Sequence, residues 1–417
     1  GTISENTLWN ADTVKVNCNI TIDDAYALTI DPGTVVEFQD YYSITVNGCL
    51  KAEGTMLDSI KFTVSDSIGF ADTSIVDDGW AGIIFNSTAV TNDSSKFDYC
   101  IFMFGKAPET SGATNGGAFK IVNSPKISIT NSLFKNNMAS GMYASGGAID
   151  IQNTDNIKIG NCTFIENIVK GPYFGGGGAI NIATSSPDIY NNMFFNNVAD
   201  SSSGGAIYIR DNSNPNLANN LLVNNYARYG GAVLFAAIAD GTFYNNTVAF
   251  NEAKLGGGIT FYDNSNPVLI NNIIYSNSDS VSGAQVYIFD NGSQPDFSYN
   301  NVQGGSVGFE MPDTVTYTGN YANNIDSDPL FTNPTTDVGI NYNGSTANWK
   351  LQGDNPCINA GIPDTSGMNI PNIDLAGNDR IYNNVRIDIG AYEYLNNPPE
   401  MNAQSFSVNE NAANSTL

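Results

Sequence analysis

With 41 acidic residues against 16 basic ones and no histidine among 417, the chain carries a formal net charge of −25, which argues against nucleic acid and anionic membrane surfaces as partners, and against a polyanionic glycan unless a local basic patch or bound cations intervene. The absence of histidine removes Ser-His-Asp and Cys-His catalysis and any His-ligated zinc site. Charged residues make up only 14% of the chain while glycine alone reaches 41 residues, a balance unlike that of a helical cytosolic enzyme.

The length leaves room for a large core, in several domains or in one elongated repeat domain. No run of about 18 apolar residues occurs, so no membrane span is expected. Five cysteines, Cys18, Cys49, Cys100, Cys162 and Cys357, are too few for a disulfide framework. A start at Gly1 with no Met or charged leader fits a processed or excised piece of something larger.

Residues 1–94 carry short strand-like runs, "LTIDPGTVVEF", "ITVNGCLKAEGT" and "IKFTV", and read as N-terminal coils of a solenoid. From 95 to 324 the pattern becomes an explicit repeat. Gly-Gly-Ala followed by an apolar residue begins at Gly116, Gly146, Gly177, Gly204 and Gly230, with Gly-Gly-Gly-Ile at Gly256 and a degenerate Ser-Gly-Ala at Ser282; successive steps are 30, 31, 27, 26, 26 and 26 residues. A second marker keeps phase, ending in Asn137, Asn167, Asn197, Asn225, Asn251 and Asn277, as in "NNMFFNN" and "NNLLVNN". Turns with Pro125, Pro187, Pro215 and Pro267 fall between the two.

Period-two alternation after each Gly pair, such as Ile149-Asp150-Ile151, predicts strands. Each unit therefore reads as three short strands joined by turns. Such a unit cannot bury an apolar side alone, so units must stack, with equivalent residues about 4.8 Å apart. The expected fold is all-β, a right-handed parallel β-helix of about 26–31 residues per coil. Cys100 and Cys162, at equivalent positions two coils apart, would then have Cα atoms about 10 Å apart and stay unpaired.

The Gly-Gly-Ala-Ile steps alternating with Phe134 to Asn137, Phe164 to Asn167 and Phe194 to Asn197 resemble the repeats of bacterial polymorphic outer-membrane proteins and related β-helix surface proteins. That resemblance implies a secreted or cell-surface protein, often adhesive. The Phe position passes to Leu222, Val248 and Ile274 in later coils, a departure from the family pattern. Residues 325–395, with "IDSDPLF", "NPCINAGIPD" and "IDIGAYEY", are similar to the closing segments of such proteins and are expected to cap the last coil. Residues 396–417, containing "QSFSVNENAANSTL", resemble a linker and the first strand of a cadherin-like or Ig-like module, implying further β-sandwich modules in the parent chain.

In the strand after each Gly pair, the residue between the inward pair is expected to face solvent. This gives an outward column Lys120, Asp150, Asn181, Tyr208, Leu234, Thr260, Tyr287 and a second column Val122, Gln152, Ala183, Arg210, Ala236, Tyr262, Phe289. The ligand-binding candidates there are Tyr208, Arg210, Tyr262, Tyr287, Asp150 and Asn181, joined by Tyr143 and Tyr173 from the long loops 138–145 and 168–176. Aromatic rings stack on sugars and amides bond hydroxyls, so the leading expectation is a monomeric module binding a glycan or another surface protein without catalysis. A polysaccharide lyase or glycoside hydrolase is the runner-up, although Lys120, Asp150 and Arg210 are scattered over several coils; a passive spacer is the third reading. Calcium is the one expected ion, with Asp326, Asp328, Asp374, Asp379 and Asp388 as oxygen donors.

Overall fold

A computed structural model describes residues 1–72, 78–108, 115–171, 175–281, 285–381 and 386–395. The chain winds as a right-handed solenoid of parallel strands. Three long sheets of 11, 12 and 11 strands run its length, and a fourth of 7 strands flanks the middle coils. One turn passes through Ile149–Gln152 in the first sheet, Asp155–Gly160 in the second, Thr163–Ile165 in the third and Ile168–Lys170 in the fourth, before Ile180–Ala183 returns to the first. The fourth strand is an addition to the expected three. It is formed by the residues just after the FxxN motif, where runs such as Met138-Ala139-Ser140 are too short for alternation to announce a strand.

Residues 1–94 belong to the same stack, with Ile20–Ile22 pairing Ile44–Val46 and that strand pairing Ile83–Asn86. In the repeat region Phe119, Ile149, Ile180, Ile207, Val233, Ile259 and Val286 lie in one column of the first sheet, all fully buried. Phe102, Phe134, Phe164 and Phe194 form a parallel column in the third sheet, with successive centroids 4.9, 4.7 and 4.8 Å apart. The ring separation equals the strand spacing, so one rotamer repeats from coil to coil and each buried ring contributes roughly 1.5–3 kcal/mol.

The doubled asparagines have a division of labour. At the corner between the second and third sheets, Asn131, Asn161, Asn191, Asn219, Asn245 and Asn271 take φ between 50 and 61°, the left-handed region that Asn tolerates best after Gly. The next residue turns inward and builds a ladder. Asn192, Asn220, Asn246, Asn272 and Asn300 each pass an amide hydrogen to the Oδ1 of the following copy at 2.8–3.1 Å, and Asn324 is the last acceptor. The corner between the third and fourth sheets repeats the device from Asn137 through Asn277 at 2.8–3.0 Å, and Gln285 closes it by accepting from both the backbone and side-chain nitrogens of Asn277. At the first corner the hydroxyls of Thr154, Ser185 and Ser213 accept the backbone N–H of the preceding copy, from Ser124, Thr154 and Ser185 respectively.

Of the segment 325–395, expected to cap the last coil, Ile325 and Ser327 bond to that coil at Asn300, Asn301 and Val302, while much of the rest runs along the side of the solenoid. Phe331, Trp349, Leu351, Cys357 and Ile389 pack on the outer face of the third sheet, against Phe195, Leu221, Val223, Ala249 and Ile273. The reason is visible in that sheet: its outward positions in the later coils are apolar and need a cover. The left-handed corner asparagines hold this strap, with Asn224 Nδ2 donating to the Gly339 carbonyl, Asn219 Nδ2 to Ile373 and Asn245 Nδ2 to Asp388, each at 3.0 Å. The last coil is closed instead by Phe309, Tyr317 and Tyr321 gathered around Phe297. All five cysteines are free thiols.

Candidate binding face

Each Gly pair does more than turn a corner. Its first member has φ of 64–71° from Gly116 to Gly256, which folds the preceding segment back over the outside of the first sheet. A Cβ on the second member would meet the carbonyl of the next coil's glycine, 2.1 Å away for both Gly147 and Gly178, so the backbones touch with no room for a side chain. The glycine backbone also rests on the outward column: a Cβ on Gly116 would lie 3.2 Å from Asp150 Cβ, and one on Gly176 would lie 2.9 Å from Tyr208 Cδ1.

The expectation that this column faces solvent is therefore corrected. Asp150, Asn181 and Thr260 are fully buried and Leu234 and Tyr287 nearly so, while Lys120 and Tyr208 are half-buried. Strand alternation identified the outer side of the sheet; it could not reveal that the chain covers that side.

Under this cover, the polar members form one hydrogen-bonded chain. Asp150 accepts from Asn181 Nδ2 at 2.6 Å on one oxygen and from Gln152 Nε2 at 2.7 Å on the other. Arg210 Nε donates to Asn181 Oδ1 at 3.3 Å, and its guanidinium pairs with Asp211. Burial pushes the Asp150 carboxyl up to about 6, against the opposing pull of the Asn181 and Gln152 amides and the Arg210 and Lys120 charges. Burial likewise raises the Tyr208 hydroxyl to about 12.

Three coils further, the cover opens onto aromatic rings. Tyr229, Tyr262 and Tyr287 surround Phe289 with centroids at 5.4, 5.2 and 4.7 Å in edge-on geometry. Tyr262 is 49% exposed, whereas Tyr287 is 7% exposed and supports the others from beneath. The Arg228 guanidinium stands 5.0 Å over the Tyr229 ring and that of Arg210 5.9 Å over Tyr208. The structure thus unites Asp150, Asn181, Tyr208 and Arg210 in one network and Tyr262 and Tyr287 in a neighbouring cluster.

Tyr143 is exposed in the loop before Gly146, apart from both groups in every contact described. Tyr173 lies outside the described residues. Tyr229 and Arg228 were missed by sequence reasoning; their signal was position, because the residues just before a Gly pair are folded onto the sheet face.

The five carboxylates expected to hold calcium are not brought together, and among the described residues no group of three suits a metal ion. Asp326, Asp328 and Asp379 are exposed. Asp374 accepts from the amides of Ala376, Asn378 and Glu393, and Asp388 from those of Asn359 and Tyr394. Beside them, Arg380 and Glu393 are 2% and 5% exposed with Nη1 and Oε1 3.1 Å apart; the angle is too poor for a hydrogen bond, so attraction of charge holds the pair. Asp374, Asp388 and Glu393 thus engage partners within the strap itself.

A separate cleft of about 810 Å³ opens where the fourth sheet ends, lined by Ser278, Gln285, Gln303, Glu310 and Asp337 among others. It contains none of the expected residues. The family model for the right handed beta helix region matches residues 147–355, just over half of the chain. No curated protein matches it.

Proposed function

The chain belongs to the right-handed β-helix family, and from that premise we propose that it is an exported, surface-exposed module that binds a glycan without cleaving it. The supporting observation is the aromatic cluster. On a sheet face that is largely covered, Tyr262 stands half-exposed beside the partly exposed Phe289 and Tyr229, with Arg228 over the Tyr229 ring and Arg210 over Tyr208 in the neighbouring network. Such rings offer a flat apolar surface to a sugar ring, and the cations supply donors to its oxygens. A bacterial cell-surface setting with further β-sandwich modules fits this reading.

The fold is equally suited to polysaccharide-degrading enzymes, and Asp150 is the residue that invites that reading because a carboxyl held near neutrality suits acid catalysis. Its surroundings favour a structural role. A general acid must reach the bond it protonates, yet Asp150 is fully enclosed and both of its oxygens are taken by side-chain amides.

The test is a glycan-binding screen run beside assays for reducing ends and unsaturated products. Binding without product is expected, and Tyr262→Ala should weaken it about ten-fold, a loss of the size of one stacking contact, with unchanged melting. Product formation abolished by Asp150→Asn would replace the proposal with the enzyme reading.

A further inference from the structure

Arg228 and Lys254 occupy neighbouring strands of the fourth sheet, Tyr226–Tyr229 and Glu252–Leu255. The register pairs Ala227 with Ala253 and Tyr229 with Leu255, so the two cations between them stand directly opposite each other, about 4.8 Å apart at the backbone. Both are exposed. Like charges placed opposite one another destabilise a sheet ladder, and in a chain of net charge −25 counter-ions are plentiful.

Among the described residues six cations form ion pairs, including Lys51 with Asp93, Lys135 with Glu166 and Arg380 with Glu393. Among the described residues, neither Arg228 nor Lys254 has an ion-pair partner, although Asp200 and Glu252 lie on the same sheet. Arg228 is also placed beside the aromatic cluster, because its guanidinium lies over Tyr229 and that ring meets Phe289.

We infer that Arg228 and Lys254 hold the carboxylate of an acidic sugar whose ring lies against the Tyr229, Tyr262 and Phe289 cluster. The inference rests on the glycan-binding reading and narrows it to acidic glycans. A planar guanidinium offers two parallel N–H donors to a carboxylate, and the adjacent ammonium adds a second charge. The overall negative field lowers the encounter rate for a polyanion, so affinity would depend on this local pair and fall as salt rises.

The experiment screens the chain against neutral polysaccharides and against acidic ones, each acidic polymer paired with its carboxyl-reduced counterpart. Acidic polymers should be retained, and carboxyl reduction should cost about ten-fold or more in affinity. The double variant Arg228→Gln/Lys254→Gln should bind each acidic polymer and its reduced form equally, with a melting temperature no lower than that of the native chain, because both side chains are exposed and their mutual repulsion is removed. Retention of neutral polymers alone, or equal binding of a polymer before and after reduction, overturns the inference while leaving glycan binding intact. Retention of no polysaccharide overturns both.

Discussion

Replacing Asn225 with alanine tests whether the buried amide ladder is a main source of stability. In the native chain, Asn225 Oδ1 accepts from the backbone N–H of Asn197 at 2.9 Å and from its Nδ2 at 3.0 Å. Its own Nδ2 donates to the Phe194 carbonyl at 3.0 Å and to Asn251 Oδ1 at 2.9 Å. Both neighbours are fully buried, so no water replaces the lost side chain. Two orphaned donors at roughly 1–3 kcal/mol each, plus the two lost donations at about 1 kcal/mol each, give roughly 4–8 kcal/mol of destabilisation. Asn224→Ala provides the contrast one residue earlier: it removes the bond to the Gly339 carbonyl and leaves alanine at φ 54°, a loss of about 2 kcal/mol. Urea unfolding followed by far-UV circular dichroism measures both. A loss at Asn225 below about 1.5 kcal/mol, or one no greater than at Asn224, refutes the argument that satisfied polar ladders rather than the apolar columns alone hold the coils in register.

Gly178→Ala should be more severe than an ordinary surface change, because the new methyl would sit 2.1 Å from the Gly205 carbonyl oxygen; a loss above about 4 kcal/mol is expected and would be read as soluble yield and melting temperature. For Asp150, the folded-state carboxyl is raised to about 6 from 3.8, so the native state binds the proton more tightly. The Asp150 contribution to stability should be fully present below about pH 4 and be lost as pH rises through 6, by about 3 kcal/mol; Asp150→Asn should remove that contribution from the pH-dependent unfolding profile, and an unaltered slope would refute it. Glu393→Ala leaves Arg380 charged and buried without its partner, which should cost roughly 3–5 kcal/mol. Limited proteolysis should then cut within 325–395 while the coils stay resistant.

The solenoid was legible because its markers are steric necessities. The Gly pairs, the inward Ile and Phe columns and the asparagine ending each FxxN motif each follow from what a stacked coil permits. The ladder from Asn192 to Asn324 was written in the same motifs, yet doubled asparagine conceals which copy takes the left-handed turn and which turns inward. The fourth sheet was not legible, because its strands, all but Val198–Ser203 of two to four residues, carry no measurable period. The candidate site was half legible: alternation selected the outer side of the first sheet and named Asp150, Asn181, Tyr208, Arg210 and Tyr262. Whether those residues meet water depended on the segment folded back by each Gly pair, and no local pattern encodes that path. The strap followed the same logic, since apolar outward residues such as Leu221 and Val223 show that a cover is required without saying which stretch of chain supplies it.

Gln285 occupies the place where the next coil's asparagine would stand, and its amide satisfies Asn277 on both the donor and acceptor sides, with Nε2 donating to the Asn277 carbonyl at 2.8 Å. A coil added after this point would find the seam already closed, whereas a coil duplicated between Asn197 and Asn251 would meet the same amide above and below that its parent met. Changes in the number of coils are thus compatible with the ladder only upstream of its terminator. In this architecture, evolution can lengthen the rod by copying from its middle, and the end pieces travel along unchanged.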